Sequence, residues 1–439
     1  MTALDELGTF IAAPKNLPEA VGRAARRHNV DIVGAWIAGR ATAEGEALTR
    51  YGAQALAASA ADELVVHCGQ ARLSEVDDIH LSSLTTPGAI VVPTALTLAR
   101  EADADRAAIL EAIAGGYEAM IRLGIAVDGP KILYRGVWPT YLAAPFGAAA
   151  VAARLLRLSD AQAANALALA LSLAAPSVGH QTGPATSRWL ACGLAARNGV
   201  TAALAARDGF IADRGLLDGG AFASAYAVAP GALTRGLGEG YSLLDVSLKP
   251  WCAARQTMAA TQALVELLAE GVGVRDIEEI VVAIPPIQQK MTDHGVKPGE
   301  RLTYLTSLPY MLAAVALAPE ARFDIRPTPH TSPEIPALMA KVKIHPDDAL
   351  MAEYPAVWPA RVVVRTAAGT REKLVRHVPG DPARPLDDAQ LLDKLRRVVA
   401  AATSPTMAEA VAAAGRALLD ADDAASAAAA ALRAGGVTL

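Results

Sequence analysis

Four polar segments interrupt an otherwise apolar chain, and each joins residue types that move protons or hold anions. The first runs from Glu75 to Gly88 and sets Glu75, Asp77, Asp78 and His80 within six residues. Clustered acids push one another's pKa upward, which can yield an acid or base that works near neutrality. The competing reading is a solvated loop that caps the following helix. The second, Lys131 to Tyr141, offers Lys131, Tyr134, Arg135, Trp138 and Tyr141 ahead of a small-residue helix. A helix N-terminus beside a guanidinium is a ready carboxylate site; an aromatic-packed loop is the alternative. The third contains His180 and ends on Arg188, whose charge in a first helical turn opposes the helix dipole and hints at a bound anion. The fourth sets Lys249 and Arg255 around Trp251 and Cys252, again ahead of a helix; two cations there point to an acidic ligand, and a plain linker competes. Gathered in one cleft, these cations would suit a substrate with two or more carboxylates.

Other chemistries lack their residues. There is no P-loop, no GxSxG elbow and no HExxH. Gly115-Gly116 lies inside a helical pattern with no strand before it, so it is not a dinucleotide loop. The eight histidines form no pair at ligand spacing, and Cys68, Cys192 and Cys252 show neither CxxC nor zinc spacing. No catalytic metal and no cofactor are expected. The cysteines read as buried small hydrophobes in a reducing cytoplasm. Forty basic against 45 acidic residues give a net charge of −5, with no electrostatic footprint for nucleic acid or an anionic membrane. No apolar run is long enough to span a bilayer, and the acidic start lacks the basic residues of a signal peptide. A cytoplasmic globular protein is the expectation.

The elements that must position these segments follow from periodicity. At 439 residues and 53% hydrophobic, with only 4% aromatic, the chain has ample material for an aliphatic, Ala-rich core. Pro18-Glu19 opens a helix, and Ile109, Ile113, Tyr117, Met120 and Ile121 mark another at steps of three and four. Ser159-Asp160-Ala161-Gln162 is a helix start, and small residues from Leu142 to Ala175 and Ala185 to Ala206 predict closely packed helices. After Val274 the pattern changes. Ile280, Val282 and Ile284 alternate as a strand that stops at Pro285-Pro286. Arg361–Arg365 and Glu372–Val378 form a hairpin around Ala367 to Thr370. Leu308–Leu317 and Ser332–Val342 read as helices, as do segments from Leu386 and Thr406; the tail from Ala424 is expected to fray. The expectation is a mainly α chain: a large all-helical domain over 1–272, to which 386–439 returns, plus a smaller α+β domain over 273–385.

In this order, the segments resemble the MmgE/PrpD family, which includes 2-methylcitrate dehydratase, cis-aconitate decarboxylase and iminodisuccinate epimerase. The matching stretches are Asp77-Asp78-Ile79-His80 with Thr86-Pro87-Gly88-Ala89, Gly115 to Gly124, Arg135 to Thr140 with Phe146 to Ala150, Ala195 to Gly199, Lys249-Pro250 and Ser307-Leu308-Pro309-Tyr310. The resemblance implies a helical domain plus an α+β domain, a homodimer, and a cofactor-independent lyase of dehydratase type acting beside a carboxylate of a small anionic substrate. An epimerase or isomerase on a similar acid, or a non-catalytic ligand-binding member, are its alternatives. Site residues carry over unevenly. Glu75, Asp77 and Asp78 fit the family's acidic stretch, and its tyrosine is Tyr310. Its histidines fall on Thr86, Trp138 and Met258, and its lysine on Arg188. Arg clamps carboxylates well but cannot surrender a proton as a base. The expected catalytic set is therefore Glu75, Asp78, His80 and Tyr310. The expected substrate-binding set is Thr86, Tyr134, Arg135, Trp138, His180, Arg188, Lys249 and Arg255.

Overall fold

Ser159 and Gln162 cap each other's backbone in a reciprocal capping box, so the helix Asp160–Ser172 starts where its sequence says it should. The same device at Asp387 and Gln390 starts the helix Asp388–Ala402. The computed structural model describes residues 1–439 apart from 15, 57, 58, 103, 105, 177–184, 327–331, 421–423 and 438–439. Its contacts divide the chain into one unit of Met1–Leu248 with Asp387–Leu439, and a second of Lys249–Leu386.

The first unit is helical. The helix Pro139–Leu155 is buried along nearly its whole length and packs against the helices Arg106–Ala126 and Ser187–Arg207. Ser187–Arg207 also crosses Ala60–Leu73, which in turn lies on Glu19–Arg40. Small residues make these approaches possible. A Cβ on Gly193 would collide with the Val65 carbonyl, and one on Gly199 with the Pro145 carbonyl. The core is aliphatic and Ala-rich, with alanines at 148–150, 152 and 153 fully buried. The C-terminal stretch departs from the expected frayed tail. Ala424–Ala434 is a helix that buries Ala428, Ala431 and Leu432 and packs on Pro405–Asp420 and Glu19–Arg40. Alanine has the highest helix propensity, and its small side chain lets this helix lie close to its neighbours.

The second unit is built on a four-stranded mixed sheet. Its strands are β1 (Ile277–Ile284), β2 (Val342–Pro346), β3 (Ala360–Thr366) and β4 (Gly369–Val375), in the order β2-β1-β3-β4. β1 pairs parallel with β2 and antiparallel with β3; β3 and β4 form the expected hairpin. Ile280, Val282 and Ile284 are buried, as their alternation requires, and Ile277 is buried beyond a register irregularity between Ile277 and Glu279. β2 corrects the sequence reading. The helix there spans only Glu334–Met339, and Val342 begins a strand instead of ending a helix. The helix Arg255–Ala269 packs on β3, β4 and the helix Leu308–Leu317. Among the described residues, no helix is long and apolar enough to cross a membrane.

Candidate active site

Ala60–Leu73 ends at Ser74, and the chain then turns sharply: Glu75 adopts φ 50°. A non-glycine residue in this region is strained, and such strain persists only where the surroundings over-determine it. Here the surroundings are ionic. Arg72 Nη1 lies 3.2 Å from Glu75 Oε1 and 3.1 Å from Asp77 Oδ1. Arg188 Nη2 donates to the same Glu75 oxygen at 3.0 Å. The Arg188 guanidinium sits between two indoles, 4.7 Å from the Trp138 ring centre and 4.3 Å from that of Trp189. All four charged groups are buried. Burial opposes the Arg72 charge, but Asp77 and then Glu75 outweigh it and hold this guanidinium above its ordinary pKa. Tyr141 completes the wall: burial pushes its phenol up, an effect that Arg188 partly counters. Cys192 is also here, its thiol raised by burial to about 12, so it stays an inert thiol at neutral pH.

Asp78 faces a different set of partners. Its Oδ2 accepts from the Tyr117 hydroxyl at 2.5 Å and lies 2.6 Å from His28 Nδ1; its Oδ1 accepts from Gly88 N at 2.8 Å. Gly88 opens the helix Gly88–Ala102, so the Asp78 carboxylate ties the end of the acidic segment to a helix start. A Cβ at Gly88 would press on Asp78, Ile32 and Tyr117, which explains glycine there. Asp78 has no exposed surface, and both of its oxygens are engaged.

His80 is also buried. Ser83 N donates to its Nδ1 at 3.2 Å, and Ser83 Oγ lies 2.9 Å from the same atom. The backbone donor assigns the ring proton to Nε2. Burial lowers the pKa to about 4, so the ring is neutral at pH 7 and presents an N–H. His67, in Ala60–Leu73, is lowered to about 3 by burial and then by Arg100. Both rings fold neutral, whereas the unfolded chain protonates them near pH 6.5. Their stabilisation is complete above that pH and is lost as pH falls toward 4 for His80 and 3 for His67. We expect about 2 kcal/mol lost per ring by pH 5. Denaturant midpoints between pH 7.5 and 5 would measure it, and His80→Asn should remove about half of the slope.

The remaining expected residues lie on other segments of the chain. Thr86 is buried, with its amide on the Thr140 hydroxyl at 3.1 Å. Tyr134 and Arg135 are exposed, and Trp138 is half-buried over Arg188. His180 lies outside the described residues. Lys249, Arg255 and Tyr310 belong to the second unit. Arg255 Nη2 bonds both oxygens of Asp381, at 3.0 and 2.8 Å, in a buried pair, while its Nε and Nη1 have no hydrogen-bond partner among the described residues. Met258 is fully buried. Tyr310 stacks edge-on to Tyr304 at 5.0 Å and, with Cys252, Arg301, Arg322, Arg326 and Asp324, lines a cavity of about 20 Å³. Burial, then Tyr304 and Asp324, raises its pKa, so the phenol is protonated at neutral pH.

Sequence reasoning missed Arg72, His28, Tyr117 and Lys394. Arg72 was findable: it precedes Glu75 by one helical turn, where a cation naturally meets an acid. His28 and Tyr117 lie 50 and 39 positions from Asp78 and give no local signal. Among the described residues, no group of three or more His, Cys, Asp or Glu is arranged to hold a metal ion.

A helical unit bearing a buried Glu-Asp-Arg-Arg cluster, with a separate α+β unit, defines the class of protein, and comparison gives its family. Family models for the MmgE/PrpD N-terminal domain and the MmgE/PrpD C-terminal domain match residues 6–230 and 251–418. The chain belongs to the MmgE/PrpD family. Among curated proteins none matches it.

Proposed function

We propose that this chain is a cofactor-independent enzyme that removes a proton from the carbon beside a carboxylate of a small di- or tricarboxylic acid, most simply as a hydro-lyase. One observation carries the reading: Glu75 is held in a strained conformation between two buried guanidiniums. Two fixed cations beside the acid are suited to hold a substrate carboxylate and the enolate-like charge that develops as the proton leaves. Arg188 retains a buried Nε–H with no hydrogen-bond partner among the described residues. Glu75 is the proposed proton acceptor and His80 a proposed N–H donor to the developing charge. Return of the proton to the opposite face would instead make the enzyme an epimerase.

The test is deuterium uptake from heavy water into a panel of di- and tricarboxylic acids. Incorporation beside a carboxylate, lost at least about 100-fold in Glu75→Gln with ligand binding kept within a few fold, supports the reading. Undiminished exchange in that variant removes Glu75 from the chemistry. A second reading, a ligand-binding member without catalysis, is favoured by Thr86, Trp138 and Met258 standing where the family carries histidines. Acids that bind by calorimetry yet never exchange would establish it.

A further inference from the structure

The peptide that carries Glu75 is gripped from the far end of the chain. Lys394, in the helix Asp388–Ala402, is buried and donates to the Val76 carbonyl at 3.1 Å. Its ammonium also makes a short hydrogen bond to Asp31 in the helix Glu19–Arg40. Val76 is the residue between Glu75 and Asp77, so this bond fixes the plane of the peptide that follows the strained turn. Asp31 has no exposed side-chain surface, and burial raises its carboxyl pKa against the pull of Lys394. Its second oxygen has no hydrogen-bond partner among the described residues, and Asp31, Val76 and Lys394 border a cavity of about 10 Å³. Gly34, Ala35, Leu391, Leu395 and Val398 line the rest of that cavity.

A hydrophobic pair at these two positions would pack the helices at least as well, because burying an ion pair seldom adds stability. What an apolar side chain cannot do is hold the Val76 carbonyl. We infer that Lys394 is a positioning residue, which acts through Val76 to hold the Glu75 carboxylate at its working orientation, with Asp31 fixing Lys394 in turn. The inference rests on the reading of Glu75 as proton acceptor, but its grip on the segment can be measured without it.

The experiment uses the full chain in two variants, Lys394→Met and the double variant Asp31→Asn with Lys394→Met. The single variant strands a buried carboxylate and can fail to fold; the double variant removes both charges and keeps the volume. In the double variant, amide hydrogen exchange over residues 74–80 should quicken at least tenfold, while Arg106–Ala126 and Pro139–Leu155 stay within twofold of the parent. Deuterium uptake into the substrate acid should fall at least tenfold in kcat with KM unchanged. Parent-like protection over 74–80, or a uniform loss of protection across the helical unit, overturns the inference. If the parent exchanges no proton into any acid, the reading of Glu75 fails, and amide exchange alone still decides whether Lys394 holds the segment. Parent-like kcat with a loosened segment would overturn the catalytic consequence.

Discussion

Arg188→Ala should both destabilise the helical unit and abolish proton exchange. The guanidinium lies against the Trp138 and Trp189 rings and donates a hydrogen bond to Glu75. Removing it takes one buried ion pair from the Glu75 carboxylate and strips both indoles of the cation against them. Breaking a buried pair from one side costs about 3–5 kcal/mol, which a denaturant titration would show as a large shift in midpoint. The exchange rate should fall at least about 100-fold, because a misplaced reacting group costs that much even where the fold survives. Arg188→Lys separates charge from shape. It keeps a cation near Glu75 but loses the planar group that stacks on both rings. It should regain less than half of the stability and little of the rate. Arg188→Ala with parent-like stability and parent-like exchange would remove this cluster from consideration.

The second large effect is expected at Asp78. Asp78→Ala would strand three buried groups at once: the His28 ring, the Tyr117 hydroxyl and the Gly88 amide. At about 1–3 kcal/mol for each unsatisfied group, the loss should reach several kcal/mol, among the largest expected of any substitution in the chain. Asp78→Asn keeps the shape and one acceptor, so it should cost roughly half as much. For both variants, any fall in exchange should follow the population of folded protein. A folded Asp78→Asn protein with no exchange would place Asp78 in the catalytic set.

Much of the fold was legible because its signals are local. Capping boxes at Ser159 and Asp387, alternation in β1 and the hairpin turn before β4 each lie within a few residues, where sequence patterns speak clearly. β2 was missed for the same reason. Ala337-Leu338-Met339-Ala340-Lys341-Val342 reads as a continuing helix, and what makes Val342 and Ile344 a strand is the parallel edge of β1, which lies over fifty residues upstream. The tail was misjudged because its composition was taken as a measure of order, whereas Ala428, Ala431 and Leu432 find a surface to cover.

The site divides in the same way. The Glu75–Asp77 cluster and Arg188 stand out as charges in apolar surroundings, and the polar segments announce them. Their actual pairing did not show. Arg188 looked like a clamp awaiting a ligand; the fold gives one of its nitrogens to Glu75 and leaves its Nε–H without a hydrogen-bond partner among the described residues. Asp78 looked like a member of the acidic cluster, yet one residue beyond Asp77 it turns to a separate set of partners from three helices. Adjacent side chains on an irregular segment point different ways, and spacing alone could not say which carboxylate met which environment.

The route of the chain through its units has a consequence for biosynthesis. Asp31 emerges early from the ribosome, and Lys394 follows 363 positions later, after the whole of Lys249–Leu386 has been made. Until then Asp31 has no ammonium to meet, and the turn at Glu75 lacks one of its supports. The inserted unit can close on itself during translation, while the helical unit has to wait for its last segments. A released chain that ends after residue 386 should therefore hold a protease-resistant second unit beside a helical unit that is still open to cleavage.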